Sequence, residues 1–133
     1  MDNQEEKKLI LLIDDIEFYL TSAELILKDK YRTITAKSGQ EAITHLLQGI
    51  VPDLILLDII MPKMDGWQTY NKLRGISLLQ DVPIAFVTSV HGTADMKYAF
   101  KIGAADYITK PYEKNDFLNR IEKIISKNKT QEQ

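Results

Sequence analysis

The sequence predicts an α/β fold in which a doubly wound, five-stranded parallel sheet carries helices on both faces. Short aliphatic runs alternate five times with segments whose apolar residues recur at helical spacing, as in a chain of βα units. Two of the runs, LILLI at residues 9–13 and LILL at residues 54–57, contain no polar residue, which is typical of strands buried on both faces. The 133 residues are enough for one domain of ordinary size.

Each predicted strand is a run of aliphatic or β-branched residues that ends in charge, a hydroxyl or a turn signal. Pro83 lies near the start of the fourth run, where a strand tolerates a missing N–H. In chain order the predicted strands cover residues 9–13, 31–36, 54–57, 82–89 and 106–109.

Each predicted helix has an apolar stripe and, in several cases, a residue suited to begin or end it. Ser38 and Asp65 stand at N-cap positions, and Gly103 stands where the fourth helix would end. The stripe includes Ile16 in the first helix and Leu47 in the second. The helical segments are residues 16–27, 40–50, 66–74, 93–102 and 117–125, and a polar, frayed tail is expected from residue 126 onwards.

The connectivity predicts how these strands are arranged. Right-handed crossovers with one reversal of direction give the strand order 2-1-3-4-5, a flavodoxin-like topology. In that order the first and third strands are neighbours, and their carboxyl ends flank the point where sheets of this kind bind ligands.

Three carboxylates follow these two neighbouring strands, since Asp14 and Asp15 end the first and Asp58 ends the third. A lone aspartate at a strand end is usually a solvated turn residue or a helix cap, but the topology brings these three together. At ~4 Å and an effective dielectric of ~20, two like charges repel by roughly 4 kcal/mol. Mg²⁺ prefers oxygen ligands and would relieve this repulsion. Thr88 and Lys110 end the fourth and fifth strands at the same edge.

Composition excludes several other classes of function. A net charge of −2 implies no general affinity for nucleic acid or for an anionic membrane surface. There is no cysteine, and hence no disulfide or thiolate chemistry. The polar N-terminus lacks the apolar core of a signal peptide, and no apolar run approaches the ~20 residues that span a bilayer. A cytoplasmic domain is therefore expected.

Four motifs in order give the chain a specific resemblance: IDD at residues 13–15, LLDIIMPKMDGW at 56–67, FVTS at 86–89 and GAADYITKP at 103–111. With these spacings the chain resembles the response-regulator receiver domains (CheY-like) of two-component phosphorelays. The resemblance covers residues 8–126 as the receiver domain. Residues 1–7 are then a polar N-terminal extension, and residues 127–133 are a polar C-terminal tail.

The resemblance implies a role for each matching residue. Asp58 is expected to be the phosphoacceptor, and Lys110 to pair with the phosphoryl group. The direct Mg²⁺ ligands are expected to be Asp15, Asp58 and the backbone carbonyl of Ile60, with Asp14 acting mainly through water. Thr88 is expected to be the switch hydroxyl and Tyr107 the switch aromatic, whose ring turns inward after phosphorylation. The Lys110–Pro111 bond is expected to be cis, and Ile60 and Val90 to lie nearest the water that hydrolyses the phosphoryl group.

The implied function is that of a signalling phosphoacceptor, which assists its own phosphorylation and dephosphorylation but is not an enzyme. The donor would be a phosphohistidine on a sensor histidine kinase or a histidine phosphotransfer protein. Output would pass to a protein partner through the fourth helix, the fifth strand and the fifth helix, without nucleic acid or membrane binding.

Two other classes share parts of this pattern. A metal-dependent phosphohydrolase with an aspartyl-phosphate intermediate typically needs a second acid two residues after the nucleophile, where this chain has Ile60. A flavin-binding module of similar topology needs a hydroxyl-rich phosphate loop after the first strand, where this chain has the acidic segment IDDIEF. Turnover of a phosphomonoester, or a yellow chromophore, would distinguish these alternatives from a receiver domain.

Overall fold

The computed structural model describes residues 7–132, with side-chain surroundings described as far as Asn128. Five parallel strands form one sheet in the order β2-β1-β3-β4-β5, which confirms the predicted topology. The strands are β1 Leu9–Ile13, β2 Arg32–Ala36, β3 Leu54–Leu57, β4 Ile84–Thr88 and β5 Asp106–Thr109. The helices are α1 Glu17–Leu27, α2 Gly39–Leu47, α3 Gly66–Arg74, α4 Thr93–Lys101 and α5 Lys114–Glu132, with a 3₁₀ turn at Ser77–Leu79.

Alternate residues of the central strands face two separate hydrophobic cores, one on each side of the sheet. In β1, Leu11 and Ile13 point towards α2, α3 and α4, whereas Ile10 and Leu12 point towards α1 and α5. Because β1 and β3 are covered on both sides, they need apolar residues at every position. This explains why the two runs without polar residues occupy the middle of the sheet.

Two predicted strands are shorter than expected, because local hydrogen bonds take their first residues. The N–H of Tyr31 donates to the carbonyl of Leu27 at the end of α1, so β2 begins one residue later. The N–H of Val82 donates to Leu79 in the 3₁₀ turn, and Pro83 has no N–H to give, so β4 begins at Ile84.

The predicted caps agree with the structure. The Ser38 hydroxyl accepts a hydrogen bond from the N–H of Glu41. Asp65 and Gln68 form a reciprocal capping box at the start of α3. Gly103 follows α4 with a φ of 104°, a left-handed conformation that glycine adopts without a Cβ clash.

Three expectations about the helices were wrong. Ile16 is an exposed residue at the N-cap of α1, so it lies outside the buried stripe of Leu20, Ala23 and Leu27. Leu47 is exposed at the last position of α2, which ends before Gly49 because that residue has a φ of 95°. The frayed tail expected from residue 126 is instead helical to Glu132, since this stretch has good helix formers and no glycine or proline.

The proposed domain limits remain a prediction. The N-terminal extension at residues 1–7, apart from Lys7, lies outside the described residues. Within residues 7–132, no helix is long and apolar enough to cross a membrane.

Candidate phosphoacceptor and metal site

The three carboxylates predicted from the topology come together at the carboxyl edge of the sheet. Asp14 and Asp15 follow β1, Asp58 follows β3, and these strands pair in register from Ile10 with Leu54 onwards. One carboxylate oxygen from each aspartate lies within 4.8 Å of the others. Such a cluster of hard oxygen atoms has the donor chemistry that Mg²⁺ prefers.

Lys110 reaches this cluster from the end of β5. Its Nζ lies 2.5 Å from Asp14 Oδ2 and 3.4 Å from Asp58 Oδ2, so it is shared unevenly between two acids. The lysine is only 4% exposed, and both acids are buried with it. A buried ammonium is stabilised only when it is paired, and here two carboxylates provide the pairing. The Lys110–Pro111 peptide bond is cis, as expected from the resemblance.

The Asp58 carboxyl is almost completely removed from water. Burial raises its pKa above the usual range, and the negative charge of Asp14 acts in the same direction. The opposing influences are the Lys110 charge and hydrogen bonds, including a 2.8 Å bond from the Ile59 N–H to Asp58 Oδ1. Because the pKa is raised overall, these partners only partly compensate the ionised form for lost water.

One atom of the cluster lacks a partner. Among the described residues, Asp15 Oδ1 is buried and accepts no hydrogen bond, which is uncommon for a carboxylate oxygen. Both oxygens of Asp14, in contrast, are engaged, one by the Ile16 N–H at 3.0 Å and the other by Lys110. A cation bound at the cluster would satisfy the orphaned oxygen of Asp15, so the residues present fit Mg²⁺.

The two expected switch residues meet at the connection between β4 and α4. The Thr88 hydroxyl accepts a 3.2 Å hydrogen bond from the Val90 N–H, and the Tyr107 hydroxyl donates a 2.7 Å bond to the Val90 carbonyl. Both side chains are buried. The Tyr107 ring therefore faces inward in this structure, and its expected turn upon phosphorylation stays a prediction.

The loop after β3 forms the rim of the site. Ile60 is 60% exposed there, and its backbone lies two residues from Asp58. Gly66 begins α3 against that strand end, where a Cβ would lie 2.3 Å from the Asp58 carbonyl oxygen and 2.5 Å from the Ile59 Cα. Only glycine allows this close approach without moving the backbone that carries Asp58.

One contact of the site was not predicted from the sequence. The Nζ of Lys110 lies 3.7 Å from the centroid of the Tyr19 ring, in the first turn of α1. The available signal was the position of Tyr19, one helical turn after Asp15 on the helix that follows the acid pair. His45 and His91 lie outside the acidic cluster.

Three carboxylates and a lysine meet at the switch point of this doubly wound sheet, which is the arrangement that the resemblance implied for a receiver domain. The chain belongs to the response regulator receiver domain family, whose model matches residues 10–122. It is therefore a receiver domain of two-component signalling, as the resemblance implied.

Similar proteins place the same domain in longer chains. The chain is 35% identical over 130 residues to the probable transcriptional regulator ycf27 of Porphyra purpurea, covering 94% of this chain and 49% of that protein. It is 34% identical over 113 residues to the transcriptional regulatory protein DltR of Streptococcus agalactiae, covering 84% and 49%. The chain thus spans about half the length of these curated relatives.

Solved structures agree with this assignment. The non-phosphorylated HemR receiver domain of Leptospira biflexa is 33% identical, with a TM-score of 0.79 and coverage of 90% of this chain and 95% of that one. A CheY-like receiver domain from Methanospirillum hungatei is 25% identical, with a TM-score of 0.84 and coverage of 94% and 98%. These matches do not support the phosphohydrolase alternative.

Proposed function

We propose that Asp58 accepts a phosphoryl group from a phosphohistidine of a sensor histidine kinase or a histidine phosphotransfer protein. The observation that carries this proposal is the shared edge of the sheet, where Asp58 is buried within reach of Lys110 and beside two further carboxylates. Burial raises the pKa of Asp58 in spite of its partners, so its ionised carboxylate is only partly compensated and is suited to a reaction that converts it into an acyl phosphate.

The proposed reaction is a nucleophilic substitution at phosphorus. An oxygen of the Asp58 carboxylate attacks, the P–N bond of the phosphohistidine breaks, and the imidazole nitrogen keeps the electron pair and takes up a proton from water. Lys110 is placed to turn from Asp14 towards an oxygen of the incoming phosphoryl group, because it already bridges the two acids. The ammonium would offset the negative charge that arrives with that group.

The acidic cluster would hold Mg²⁺ through Asp15, Asp58 and the Ile60 carbonyl, with Asp14 in a supporting position. When bound, the ion supplies charge neutralisation and orientation of phosphoryl oxygens. The chain would position these ligands, since Gly66 packs directly against the backbone of Asp58 and Asp15 contributes a carboxylate oxygen to the cluster.

The output would be a change of surface around α4, β5 and α5 that a protein partner recognises. A phosphoryl group on Asp58 offers new acceptor oxygens to the nearby Thr88 hydroxyl, which now accepts a hydrogen bond from Val90. Movement of Thr88 would shift the Val90 backbone, whose carbonyl accepts a hydrogen bond from the Tyr107 hydroxyl. The switch would therefore act on the β4–α4 connection, to which the inward Tyr107 ring is hydrogen-bonded.

The test is covalent labelling with phosphoramidate, which contains the P–N bond of phosphohistidine, in the presence of Mg²⁺. Wild type is expected to form a hydroxylamine-sensitive acyl phosphate without any other protein, and Asp58→Asn is expected to form none. Asp65→Asn is the matched control, because asparagine keeps the helix cap and the site retains its three acids. Stoichiometric acyl labelling of Asp58→Asn would show that the site is assigned wrongly.

A further inference from the structure

Among the described residues, the ammonium of Lys110 contacts the two acids Asp14 and Asp58 and one aromatic ring, that of Tyr19. The Tyr19 ring centroid lies 3.7 Å from Nζ, well inside the ~6 Å over which a cation is attracted to a ring face. Lys110 is almost entirely buried, so water competes little with this contact. Attraction between a cation and a ring is stronger under such conditions than at an exposed site.

Metal binding and phosphorylation would change the two acids that contact Lys110, but they would not change the Tyr19 ring. Asp14 and Asp58 belong to the acidic cluster, so a bound divalent cation would compete with Lys110 for their negative charge. Phosphorylation changes Asp58 itself. Tyr19 is neither a member of the acidic cluster nor phosphorylated in the proposed reaction, so its ring is available to the ammonium while the other two contacts change.

The position of Tyr19 in the fold supports a holding role. It lies in the first turn of α1, directly after the acid pair, so its backbone is tied to the metal-binding edge. Its ring, with Tyr112 and Phe117, lines a small apolar cavity of about 30 Å³ beside the lysine. The Tyr112 and Phe117 rings are stacked with centroids 4.0 Å apart, so that side of the cavity is closely packed.

We propose that Tyr19 is a positioning residue for phosphoryl transfer, which holds the Lys110 ammonium beside Asp58 through a cation–π contact. This inference rests on the proposed function of Asp58. It assigns to the first turn of α1 a part in the chemistry of the site. Removing the ring is expected to slow phosphorylation by on the order of tenfold, because Lys110 would then be drawn to Asp14 or spread over several positions.

The test uses the whole chain with Tyr19→Phe, Tyr19→Leu, and a series of phenylalanines of increasing fluorination introduced at position 19. Fluorine weakens the attraction of the ring face for a cation while it changes the size of the side chain little. The first measurement is the NMR shift of the Lys110 Cε protons in the metal-free, unphosphorylated protein. An upfield ring-current shift is expected in wild type and Tyr19→Phe, and its loss is expected in Tyr19→Leu.

The second measurement is the rate of labelling by phosphoramidate with saturating Mg²⁺. Tyr19→Phe should keep the wild-type rate, Tyr19→Leu should lose about tenfold, and the fluorinated series should fall step by step. A purely structural role for the ring would leave the fluorinated series flat. Equal rates across that series, or a Tyr19→Leu protein as fast as wild type, would overturn the inference.

The proposed function and this inference fail in different ways. Wild-type protein that takes no label would overturn both, whatever the ring-current shift shows. Wild type that is labelled at Asp58, beside fluorinated variants labelled equally fast, would overturn the role of Tyr19 alone.

Discussion

The Tyr107 hydroxyl donates a 2.7 Å hydrogen bond to the carbonyl oxygen of Val90, and this bond fastens β5 to the connection between β4 and α4. The ring is 3% exposed and packs near Phe86, with centroids 6.4 Å apart. Burial, followed by the charges of Asp95 and Asp58, raises the pKa of its hydroxyl, which keeps it protonated as a donor at neutral pH. The Tyr107 ring is therefore held inward by a specific hydrogen bond.

Tyr107→Phe removes that bond and leaves the Val90 carbonyl without its donor. The free energy of unfolding is expected to fall by about 1 kcal/mol, the usual net contribution of such a hydrogen bond. Urea unfolding measures this change. Tyr98→Phe is the control, because Tyr98 is 48% exposed and its substitution is expected to cost less than about 0.5 kcal/mol. Equal effects of the two substitutions would show that the Tyr107 bond contributes nothing.

The raised pKa of Asp58 predicts how metal-free stability depends on pH. The folded protein binds a proton at Asp58 more tightly than the unfolded chain does, so this stabilising contribution is complete at low pH. It is lost as the pH rises through the folded pKa. In EDTA, Asp58→Asn should therefore melt at a higher temperature than wild type at pH 7, and the difference should shrink as the pH falls towards about 4.

Thermal melts over this pH range check the prediction, with Asp81→Asn as a control for loss of one exposed negative charge. The control should show a much smaller change with pH. Wild type at least as stable as Asp58→Asn at neutral pH would contradict the conclusion that burial of the carboxylate dominates.

Binding of Mg²⁺ at the acidic cluster should stabilise the folded chain by mass action. A ligand at 100 times its dissociation constant adds about 2.7 kcal/mol to the free energy of unfolding. Asp15→Asn should weaken this stabilisation, because the orphaned oxygen of Asp15 is the atom that a cation would satisfy. Asp65→Asn should keep the full effect. Midpoints that are equal in EDTA and in saturating Mg²⁺ would count against the metal site.

Gly66→Ala should damage the site through the backbone. Its Cβ would meet backbone atoms of Asp58 and Ile59 at 2.3 and 2.5 Å, so the strand end or α3 must shift. A loss of about 1–3 kcal/mol in the free energy of unfolding is expected, together with slower labelling of Asp58. Gly75→Ala is the control, since its Cβ would lie 3.4 Å from the Lys72 carbonyl oxygen at an ordinary φ of −80°. If both substitutions lower the free energy of unfolding by the same small amount, the site does not depend on the close approach at Gly66.

The sheet order and the meeting of the acids were predictable because they depend on hydrophobic pattern and connectivity. Strand runs such as residues 54–57 are specified by burial on both faces, and the end of β3 next to β1 follows from the topology. The caps at Ser38 and Asp65 were predictable for a similar reason, since they rest on local hydrogen bonds.

The features that could not be predicted from the sequence depend on contacts between distant segments. Helical periodicity shows which side of a helix carries the apolar stripe, but it does not show how much of that stripe the sheet covers. Leu47 belongs to the stripe predicted for α2 and is nevertheless exposed. The contact between Tyr19 and Lys110 joins residues 91 positions apart, and no periodicity reports it. The inward Tyr107 ring likewise depends on where the Val90 carbonyl lies in a connecting segment.

The lifetime of the phosphoryl group should depend on two aliphatic residues at the rim. Ile60 lies two positions after Asp58 and Val90 two positions after Thr88, and neither side chain can orient or activate a water molecule. Hydrolysis needs a water in line with the P–O bond to Asp58. We therefore expect the phosphorylated chain to lose its phosphoryl group slowly in the absence of a phosphatase.

Replacing Ile60 by Asn and Val90 by Glu should speed this loss by on the order of tenfold, less than the 10²–10⁴-fold given by a fully positioned base. Decay of the acyl phosphate is followed after the donor is removed, with Mg²⁺ kept constant. A double variant with Ile60→Leu and Val90→Ile keeps the rim aliphatic and should decay at the wild-type rate. Because Ile60 is 60% exposed, the alternative is that both residues only pack the rim. In that case the Asn and Glu variant would decay no faster than wild type, and the predicted dependence of the lifetime on these two residues would be wrong.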